Sequence, residues 1–430
     1  MNIENHNDLS DSITASLKRA YEAFLELEKA RGIKASGATS EVRSRGVQAM
    51  AQGLQNAFED ILEANTLDLE MSREMAVPEL VLDWLKLTPE RLQNTVEILQ
   101  RLGELSDPMQ RMMYAPYQLD PSQTYCQLMP LGVIAFIYEA FPELSAIAAG
   151  LCLKTGNSLI LRGSSEASHS NAAIAQVLQI ALEEAGLPAG CLEVLSSDRG
   201  SSIQQLVGQD QYLNLVIPYG RPSLIGQVMQ LATAPVLRAA MGNCYLYWSP
   251  SGDLDLTRSV IIDSHASEPD PVNAIEKVLI SPDQKSSSLV RLFNSLKEKG
   301  FELRGEAELV EAFPEHLTLA KESEWGFPYL DKIVAFKVVD SLSAAIAWIN
   351  HYTSGHADCL VTESYLESRQ FAMGIDSAVV YINSSPRFYR NPKGGESVFL
   401  GMSNQKGHRR GLIGLETFTT LKQVVQGDGT

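Results

Sequence analysis

Cysteine is scarce in this chain, and its few cysteines show no pairing pattern. There are five in 430 residues, an odd number at irregular spacing. A small disulfide-bonded scaffold uses an even set at regular intervals, so this usage excludes one and predicts a reducing compartment, which we expect to be the cytoplasm. The five residues are Cys126, Cys152, Cys191, Cys244 and Cys359.

Long apolar runs are missing as well. We find no stretch of about 18 consecutive apolar residues, the length that a membrane-spanning helix requires, and so expect no membrane anchor. The first residues, from Met1 to Asp11, are polar and lack the apolar centre of a signal peptide.

Positive charge is in short supply. Lys and Arg number 35 against 52 Asp and Glu, which gives a formal net charge of -17. A chain of this charge repels phosphate backbones, so nucleic acid is not an expected partner. The one basic stretch, Lys-Gly-His-Arg-Arg at 406–410, is interpreted first as a surface loop, with anion binding as the alternative.

What is present is the composition of a globular protein with more than one domain. Hydrophobic residues make up 45% of the chain, and its length allows two or three domains. Residues 9–105 are dominated by helical spacing, and Thr88 followed by Pro89 is typical of a helix start. From Leu131 onward, apolar runs of strand length alternate with helical segments, which predicts βαβ units and a doubly wound α/β fold.

The alternation divides into two series separated near residue 260. Proline and tyrosine recur between the helices and the first series, where we expect an extended arm or hairpin, and the chain ends in a segment apolar enough to dock as a strand. The predicted organisation is a first α/β domain with N-terminal helices at 1–106 and 129–260, a second at 261–395, and an arm with terminal strand at 107–128 and 405–430.

Several motifs identify a family. The segments PLGVIAFIYEAFP at 130–142 and LCLKTGNSLILRGSSEA at 151–167 resemble those of glutamate-5-semialdehyde dehydrogenases (gamma-glutamyl phosphate reductases), which are members of the aldehyde dehydrogenase superfamily. Ser354-Gly-His356 and GLIGLE at 411–416 are similar too, and the matches run in order along nearly the whole chain. The resemblance implies an aldehyde dehydrogenase-like fold in which a cofactor domain, a catalytic domain and an oligomerisation arm correspond to the three predicted parts.

The same resemblance implies an activity and partners. The family reduces L-glutamate 5-phosphate to L-glutamate 5-semialdehyde with NADPH, a step of proline biosynthesis. NADP is therefore the expected cofactor, and a homo-oligomer is the expected assembly. Glutamate 5-kinase and an active reductase subunit are further candidate partners.

The family's nucleophilic cysteine is absent. In DSHASEPDPVNA at 263–274, which is similar to the nucleophile loop, Val272 occupies the cysteine position and Asn273 follows it unchanged. Reduction of an acyl phosphate by this family needs a thiolate that attacks the carbonyl and later leaves, and an isopropyl group supplies neither function. Loss of a nucleophile costs on the order of 10⁶ in rate in a hydrolase benchmark. Cys244, the nearest thiol in sequence, is expected to be a buried core residue.

Cofactor contacts are predicted at two loops. Arg162, Ser164 and Ser165 follow a strand and open a helix, where by resemblance they would accept the 2′-phosphate of NADP; a plain strand-to-helix turn is the alternative. In the second loop, residues 219–223, two family glycines are replaced by Arg221 and Ser223. The replacements take away room for a pyrophosphate, although Arg221 could itself pair with a phosphate.

A substrate pocket is predicted near the end of the second series. Asn383, Ser385 and Arg387 match the family's Asn-x-Ser-x-Arg stretch, and Arg387 could hold a carboxylate through two hydrogen bonds or could serve as a structural arginine. His351 and the run from His356 to Cys359 allow a metal interpretation, but a turn into a strand explains that spacing and no metal is expected.

Three hypotheses about function remain open at this point. The first is an impaired or non-catalytic paralogue that acts by binding. The second is a working reductase that uses another route, such as direct hydride reduction of the acyl phosphate or a displaced thiol. The third is a structural oligomer without a small ligand. Phe141 stands where the family usually has arginine. The chain thus differs from the family at residues expected to take part in the reaction, while the motifs of the scaffold persist.

Overall fold

The computed structural model describes residues 3–32, 36–118, 122–195, 203–266, 272–407 and 409–427. The chain forms two compact units. Unit 1 contains Met1–Ala239, Arg390–Leu400 and Ile413–Thr430, and unit 2 contains Ala240–Tyr389 and Gly401–Leu412. Within the described residues, no helix combines the length and the apolar character needed to cross a membrane.

The helices and strands alternate along most of the chain. The helices are α1 (Ile3–Gly32), α2 (Ser36–Asn56), α3 (Phe58–Glu74), α4 (Glu79–Leu85), α5 (Pro89–Glu104), α6 (Leu144–Lys154), α7 (Ser168–Glu184), α8 (Ile203–Val207), α9 (Pro222–Leu231), α10 (Leu254–Ser264), α11 (Ser286–Glu298), α12 (Ala307–Ala312), α13 (Leu342–Tyr352) and α14 (Tyr365–Gly374). The strands are β1 (Met112–Tyr114), β2 (Gln123–Pro130), β3 (Val133–Tyr138), β4 (Ser158–Arg162), β5 (Leu192–Val194), β6 (Leu213–Tyr219), β7 (Cys244–Trp248), β8 (Ile275–Ile280), β9 (Glu302–Gly305), β10 (Thr318–Leu319), β11 (Ile333–Val338), β12 (Ala357–Val361), β13 (Val379–Ile382), β14 (Met402–Ser403), β15 (Gly411–Leu412) and β16 (Thr419–Gln426).

Unit 1 is built on a parallel sheet with the order β5-β4-β3-β6, taken over the described residues. Strand β3 is buried at every position because α1, α8 and α9 cover one face while α6 covers the other. The strand order reverses between β3 and β6. At such a switch point the loops that follow the two strands diverge and leave a crevice, the usual ligand position of an open α/β sheet.

The arm predicted at 107–128 is an antiparallel hairpin. Strand β1 pairs with β2, and β16 adds to the other edge of β2 over its full length from Thr419 to Gln426. The terminal strand is therefore confined to β16, whereas residues 411–412 form β15 and pair with β14. Residues 119–121 of the predicted arm lie outside the described residues.

Unit 2 contains a larger parallel sheet, ordered β10-β9-β11-β8-β7-β12-β13 within the described part of the chain. Side chains alternate between two cores, as a strand's period of two requires. Leu246, Trp248 and Val278 face one core, whereas Tyr245 and Tyr247 face the other. The predicted α/β fold with two doubly wound sheets is confirmed.

The predicted boundary at 260/261 differs from the division of the structure, which falls at 239/240. The strand Cys244–Trp248 was assigned to the first domain but lies in the middle of the second sheet, between β8 and β12. Its five buried residues suit the interior of either parallel sheet, so hydrophobic pattern alone could not assign it. The helix Leu254–Ser264, which follows this strand along the chain, also belongs to unit 2.

Candidate functional site

The nucleophile position is a buried turn leading into β8. Val272 is fully buried, and its carbonyl oxygen accepts hydrogen bonds from the Gly242 N–H at 2.9 Å and from His356 Nε2 at 2.7 Å. A carbonyl oxygen only accepts, so Nε2 must carry the imidazole hydrogen. Residues 267–271, which precede Val272, lie outside the described residues.

Cys244 lies beside this turn, as the nearest thiol that could replace the lost one. Its Sγ is 3.4 Å from His356 Nε2. That nitrogen already carries a hydrogen and donates it to Val272, so it cannot act as a base toward the thiol. Complete burial also raises the pKa of Cys244 well above its usual value, because desolvation penalises the thiolate. The predicted role of Cys244, a buried core residue, agrees with this geometry.

The remaining cysteines offer no better nucleophile. All five are buried. Burial raises the pKa of Cys191 to about 12 and also raises the pKa values of Cys152 and Cys359. An attacking thiol needs both exposure and thiolate character, so the sulfur atoms of this chain lack the properties of the family's nucleophile.

Asn273 and the segment around Arg387 are brought together. Asn273 Nδ2 donates to the Pro386 carbonyl at 2.6 Å, and Arg387 Nη1 lies 3.2 Å from Asp263 Oδ1. Ser385 Oγ accepts from the Arg387 N–H at 3.2 Å. The guanidinium predicted to hold a substrate carboxylate thus pairs with a carboxylate of the chain itself.

Asn383 uses its side-chain amide to bind the backbone of Thr362. Its backbone is left-handed, with φ of 53°. Its Oδ1 accepts from the Thr362 N–H at 2.9 Å, and its Nδ2 donates to the Thr362 carbonyl at 2.7 Å. Both ends of the amide therefore bind backbone, which fixes the turn between β12 and the segment after β13.

The first predicted cofactor loop follows β4 in unit 1. Arg162 is half-buried, and burial lowers its pKa, an effect that Glu166 and Glu139 oppose. Its Nε is buried without a hydrogen-bond partner among the described residues. Ser164 Oγ accepts from the Ala140 N–H at 3.3 Å, so this serine connects the ends of β3 and β4. Arg162 retains an unpaired donor with which an anion could be bound.

The second predicted cofactor loop lies at the switch point and already holds a carboxylate. Glu139 Oε2 accepts from the Arg221 N–H at 2.8 Å and from Arg221 Nε at 3.2 Å, and Oε1 lies 3.0 Å from Arg221 Nη2. Gly220 has φ of 148°, and a Cβ there would meet Glu139 Oε2 at 2.7 Å. The residues of this loop consequently do not fit a cofactor pyrophosphate as they stand, because Glu139 takes the space beside Gly220 and the donors of Arg221.

Aromatic side chains fill the neighbouring interior. Phe141, at a position where the family usually has arginine, stacks on Trp84 with ring centroids 4.8 Å apart and meets Tyr219 edge-on at 5.6 Å. All three are fully buried. Phe141 is thus part of an aromatic cluster, in which the Tyr219 hydroxyl accepts from Arg390 Nη2 at 2.8 Å.

The basic stretch at 406–410 pairs with one acidic residue of unit 2. Lys406 Nζ forms an ion pair with Asp376, and Arg410 Nη1 lies 3.3 Å from Asp376 Oδ1. These contacts lower the pKa of Asp376. The arrangement matches the surface-loop interpretation, while His408 lies outside the described residues.

The metal alternative finds no support in the ring contacts. His351 packs edge-on against Tyr352 at 4.4 Å, and His356 contacts Cys244 and Val272 as above. No group of three or more His, Cys, Asp and Glu side chains within the described residues could hold a metal ion.

Sequence reasoning missed the two residues that organise these sites. Glu139 lies in the segment at 130–142 that resembles the family, but the sequence alone indicated no role for it. Its position directly after β3 was the available signal, since side chains at the carboxyl ends of parallel strands meet at one edge. His356 was noted as a matching residue, but its contact with Val272 joins positions 84 residues apart and leaves no local pattern.

Comparison with known proteins places the chain in a class and then in a family. The model of the aldehyde dehydrogenase family matches residues 13–264, more than half of the chain. The class implies a nicotinamide cofactor. Gamma-glutamyl phosphate reductase 2 of Synechocystis sp. is 59% identical over 98% of this chain and 99% of its own length, and gamma-glutamyl phosphate reductase of Gloeobacter violaceus is 42% identical over 91% and 93%. This chain belongs to the gamma-glutamyl phosphate reductase family.

Solved structures agree with that assignment. The crystal structure of gamma-glutamyl phosphate reductase from Thermotoga maritima matches with a TM-score of 0.86 at 32% identity, covering 97% of this chain and 99% of the other. Propionaldehyde dehydrogenase of Rhodopseudomonas palustris, at 12% identity and a TM-score of 0.68 over 96% and 97%, shows the shared fold alone. The resemblance expected from the motifs is confirmed.

Proposed function

We propose that this chain serves the gamma-glutamyl phosphate reductase step of proline biosynthesis as a member with strongly impaired or absent turnover of its own. Two relatives named gamma-glutamyl phosphate reductase match it over nearly their whole length. Its ligands would be glutamyl metabolites of that step, L-glutamate 5-phosphate and L-glutamate 5-semialdehyde. The cytoplasm is the proposed location.

The observation that carries the proposal is the side chain of Val272. It occupies the nucleophile position, it is fully buried, and its carbonyl is held by two hydrogen bonds. No sulfur can attack from this position, and Cys244 is buried with a raised pKa. Without a thiolate the acyl phosphate cannot be converted to the thioester that the family's route requires.

A binding role accounts for what the chain has kept. The sheets, the hairpin arm and β16 are intact, so the chain retains the parts with which a family member would associate with another subunit. We propose a homo-oligomer, or a mixed oligomer with an active reductase subunit, as the working form. Glutamate 5-kinase, which would supply the acyl phosphate, is the further candidate partner.

NADP is the cofactor proposed within the nicotinamide class. Arg162 is the support for this choice, because its Nε is buried without a partner among the described residues and could receive a 2′-phosphate. Ser164 and Ser165 follow it in the same turn. NADP would supply a hydride acceptor or donor, and the chain's contribution would be to hold its 2′-phosphate end at Arg162, since the 219–223 loop does not fit the pyrophosphate as it stands.

The test is turnover of the purified full chain in the reverse direction, with NADP, phosphate and L-glutamate 5-semialdehyde. The Thermotoga maritima reductase serves as a positive control in the same cuvette conditions. We expect a rate lower by about 10⁵-fold or more, given the benchmark for loss of a nucleophile. Turnover within tenfold of the control would overturn the proposal.

A second candidate is an active reductase that uses no thiol. The observation in its favour is the 59% identity over the whole chain to a protein that carries the reductase name. Direct hydride transfer to the acyl phosphate would be insensitive to alkylation of cysteine. Full turnover that survives alkylation of the unfolded and refolded chain would establish this route, and a displaced thiol would instead lose activity.

A further inference from the structure

The carboxyl edge of the unit 1 sheet carries an ion pair that the family's chemistry does not require. Glu139 directly follows β3, and Arg221 follows β6, with Gly220 between that strand and the arginine. These two strands are the pair between which the strand order reverses. The ion pair consequently fills the crevice at which an open α/β sheet ordinarily accepts a ligand.

The loop presents its anion-binding groups to Glu139. Arg221 offers a backbone N–H, an Nε–H and an Nη2–H, and all three point to the two carboxylate oxygens within 3.2 Å. The next residue, Pro222, begins α9 and has no N–H to add. The three donors that Arg221 would offer a phosphate group at this helix start are thus engaged by a group of similar charge and shape.

The carboxylate is held firmly enough to compete with a ligand. The Glu139 side chain is 14% exposed and that of Arg221 is 36% exposed. Gly220 approaches so closely that an added Cβ would touch Glu139. Other charged groups near this edge include Arg162, Glu166 and Arg390, whose Nη2 donates to the Tyr219 hydroxyl at 2.8 Å. Glu139 and Glu166 both act on Arg162 and Arg221. A dinucleotide that arrives here must displace one carboxylate and tolerate a second.

We propose that Glu139 is an internal anion that occupies the phosphate position of the 219–223 loop and so weakens the affinity of this chain for dinucleotide phosphates. Arg221 replaces a glycine of the family pattern and provides the cation that holds Glu139 there. The Glu139–Arg221 pair would determine which anions this loop accepts, and its effect is separate from the loss of the nucleophile in unit 2. Removal of the carboxylate charge converts the loop into an anion-accepting site.

The experiment is calorimetric titration of the full chain with NADPH, and with inorganic pyrophosphate as the minimal probe. Glu139→Gln keeps the side-chain shape and removes the charge. We expect both probes to bind at least about tenfold more tightly to this variant than to the wild type, which is 1.4 kcal/mol. In the double variant Glu139→Gln with Arg221→Gln the gain should disappear, because the guanidinium that receives the phosphate is gone.

Glu193→Gln is the matched control. Arg19 and Glu193 form a two-point ion pair elsewhere in unit 1, with Nη2 and Oε2 2.6 Å apart, and its loss should leave both affinities unchanged. Equal affinities of the wild type and Glu139→Gln would overturn the proposal, as would the same gain in Glu193→Gln. The readout is binding, so its outcome is independent of whether the wild type turns over.

A measurement on the wild type removes dependence on the folding of a variant. Hydrogen–deuterium exchange of the peptide spanning residues 219–225 is followed with and without 1 mM NADPH, a concentration on the order of ordinary working levels. The proposal expects unchanged exchange, because Glu139 remains on the loop. Protection of this peptide by NADPH would overturn the proposal.

Discussion

Restoring sulfur at the nucleophile position tests the account through a single substitution. In Val272→Cys one methyl of a fully buried isopropyl group is lost and the other is replaced by a thiol. The site is packed on all sides, so removal of a methyl-sized group should cost about 1 kcal/mol of unfolding free energy, as similar core truncations do. The chain should therefore fold, and its activity can be interpreted.

The turnover rate should rise strongly, because a missing nucleophile slows the reaction by a large factor. A missing nucleophile corresponds to a factor on the order of 10⁶, or about 8 kcal/mol of transition-state free energy. Only part of this can return, since the new thiol starts buried and the loop at Glu139 is unchanged. We expect reverse turnover to rise by about 10² or more over the wild type, and to rise further when Glu139→Gln is added.

Val278→Cys provides the control for this experiment. It places a thiol at another fully buried valine of the same unit, and it should reproduce the loss of stability without any gain in turnover. The reasoning would be refuted if Val272→Cys combined with Glu139→Gln remained as inactive as the wild type. Equal gains in both cysteine variants would refute it as well.

Three further predictions concern the described side chains. In the native protein an aromatic disulfide reagent should label no cysteine within minutes, and five after unfolding, because all five are buried; rapid labelling of one thiol would contradict this. Burial lowers the pKa of His356 to about 4 from an unfolded value near 6.5, so the native state binds fewer protons in this window and stability falls as pH drops from about 6.5 to 4. In urea unfolding, the wild type should lose about 2 to 3 kcal/mol more unfolding free energy than His356→Asn between pH 7.5 and pH 4.5. Equal losses in the two proteins would contradict the assignment. Asn383→Gly keeps the left-handed backbone but removes two hydrogen bonds to Thr362, so the urea midpoint should drop by the equivalent of about 1 to 2 kcal/mol; an unchanged midpoint would show that the amide is free for a ligand.

Much of the fold could be predicted because its strands are continuous apolar runs. The strand Cys244–Trp248 coincides with an apolar run that is buried at every position, and Thr88 caps α5 as expected, accepting from the Arg91 N–H. Burial on both faces leaves such runs with a clear local signal. The same uniformity explains the error over the domain boundary, because a run of this kind carries no mark of the sheet it joins.

The sites were less predictable because their decisive contacts join distant positions. Arg221 was expected to pair with a phosphate, and it pairs with Glu139, 82 residues earlier. Arg387 was expected either to hold a substrate carboxylate or to serve as a structural arginine, and it pairs with Asp263. A sequence shows that an arginine is present, but only the fold shows which anion reaches it.

The two ion pairs share a physical consequence. Two of the three guanidinium groups that the resemblance assigned to an anionic ligand, those of Arg221 and Arg387, already have a carboxylate partner, Glu139 in unit 1 and Asp263 in unit 2. A ligand must break such a pair before it can bind, and the cost is set by the charge-assisted hydrogen bonds of the pair, two from the Arg221 guanidinium to Glu139 and one from Arg387 to Asp263. Besides lacking the family's cysteine and loop glycines, this chain therefore neutralises the charges of Arg221 and Arg387 with its own carboxylates.

The most direct test of the lost nucleophile is the intact mass of the chain after exposure to its acyl phosphate. L-Glutamate 5-phosphate is generated in place by glutamate 5-kinase with ATP, and no NADPH is added, so that an acylated thiol would accumulate. The account predicts an unchanged mass for this chain beside an acylated Thermotoga maritima reductase. A glutamyl thioester on any cysteine of this chain would contradict it.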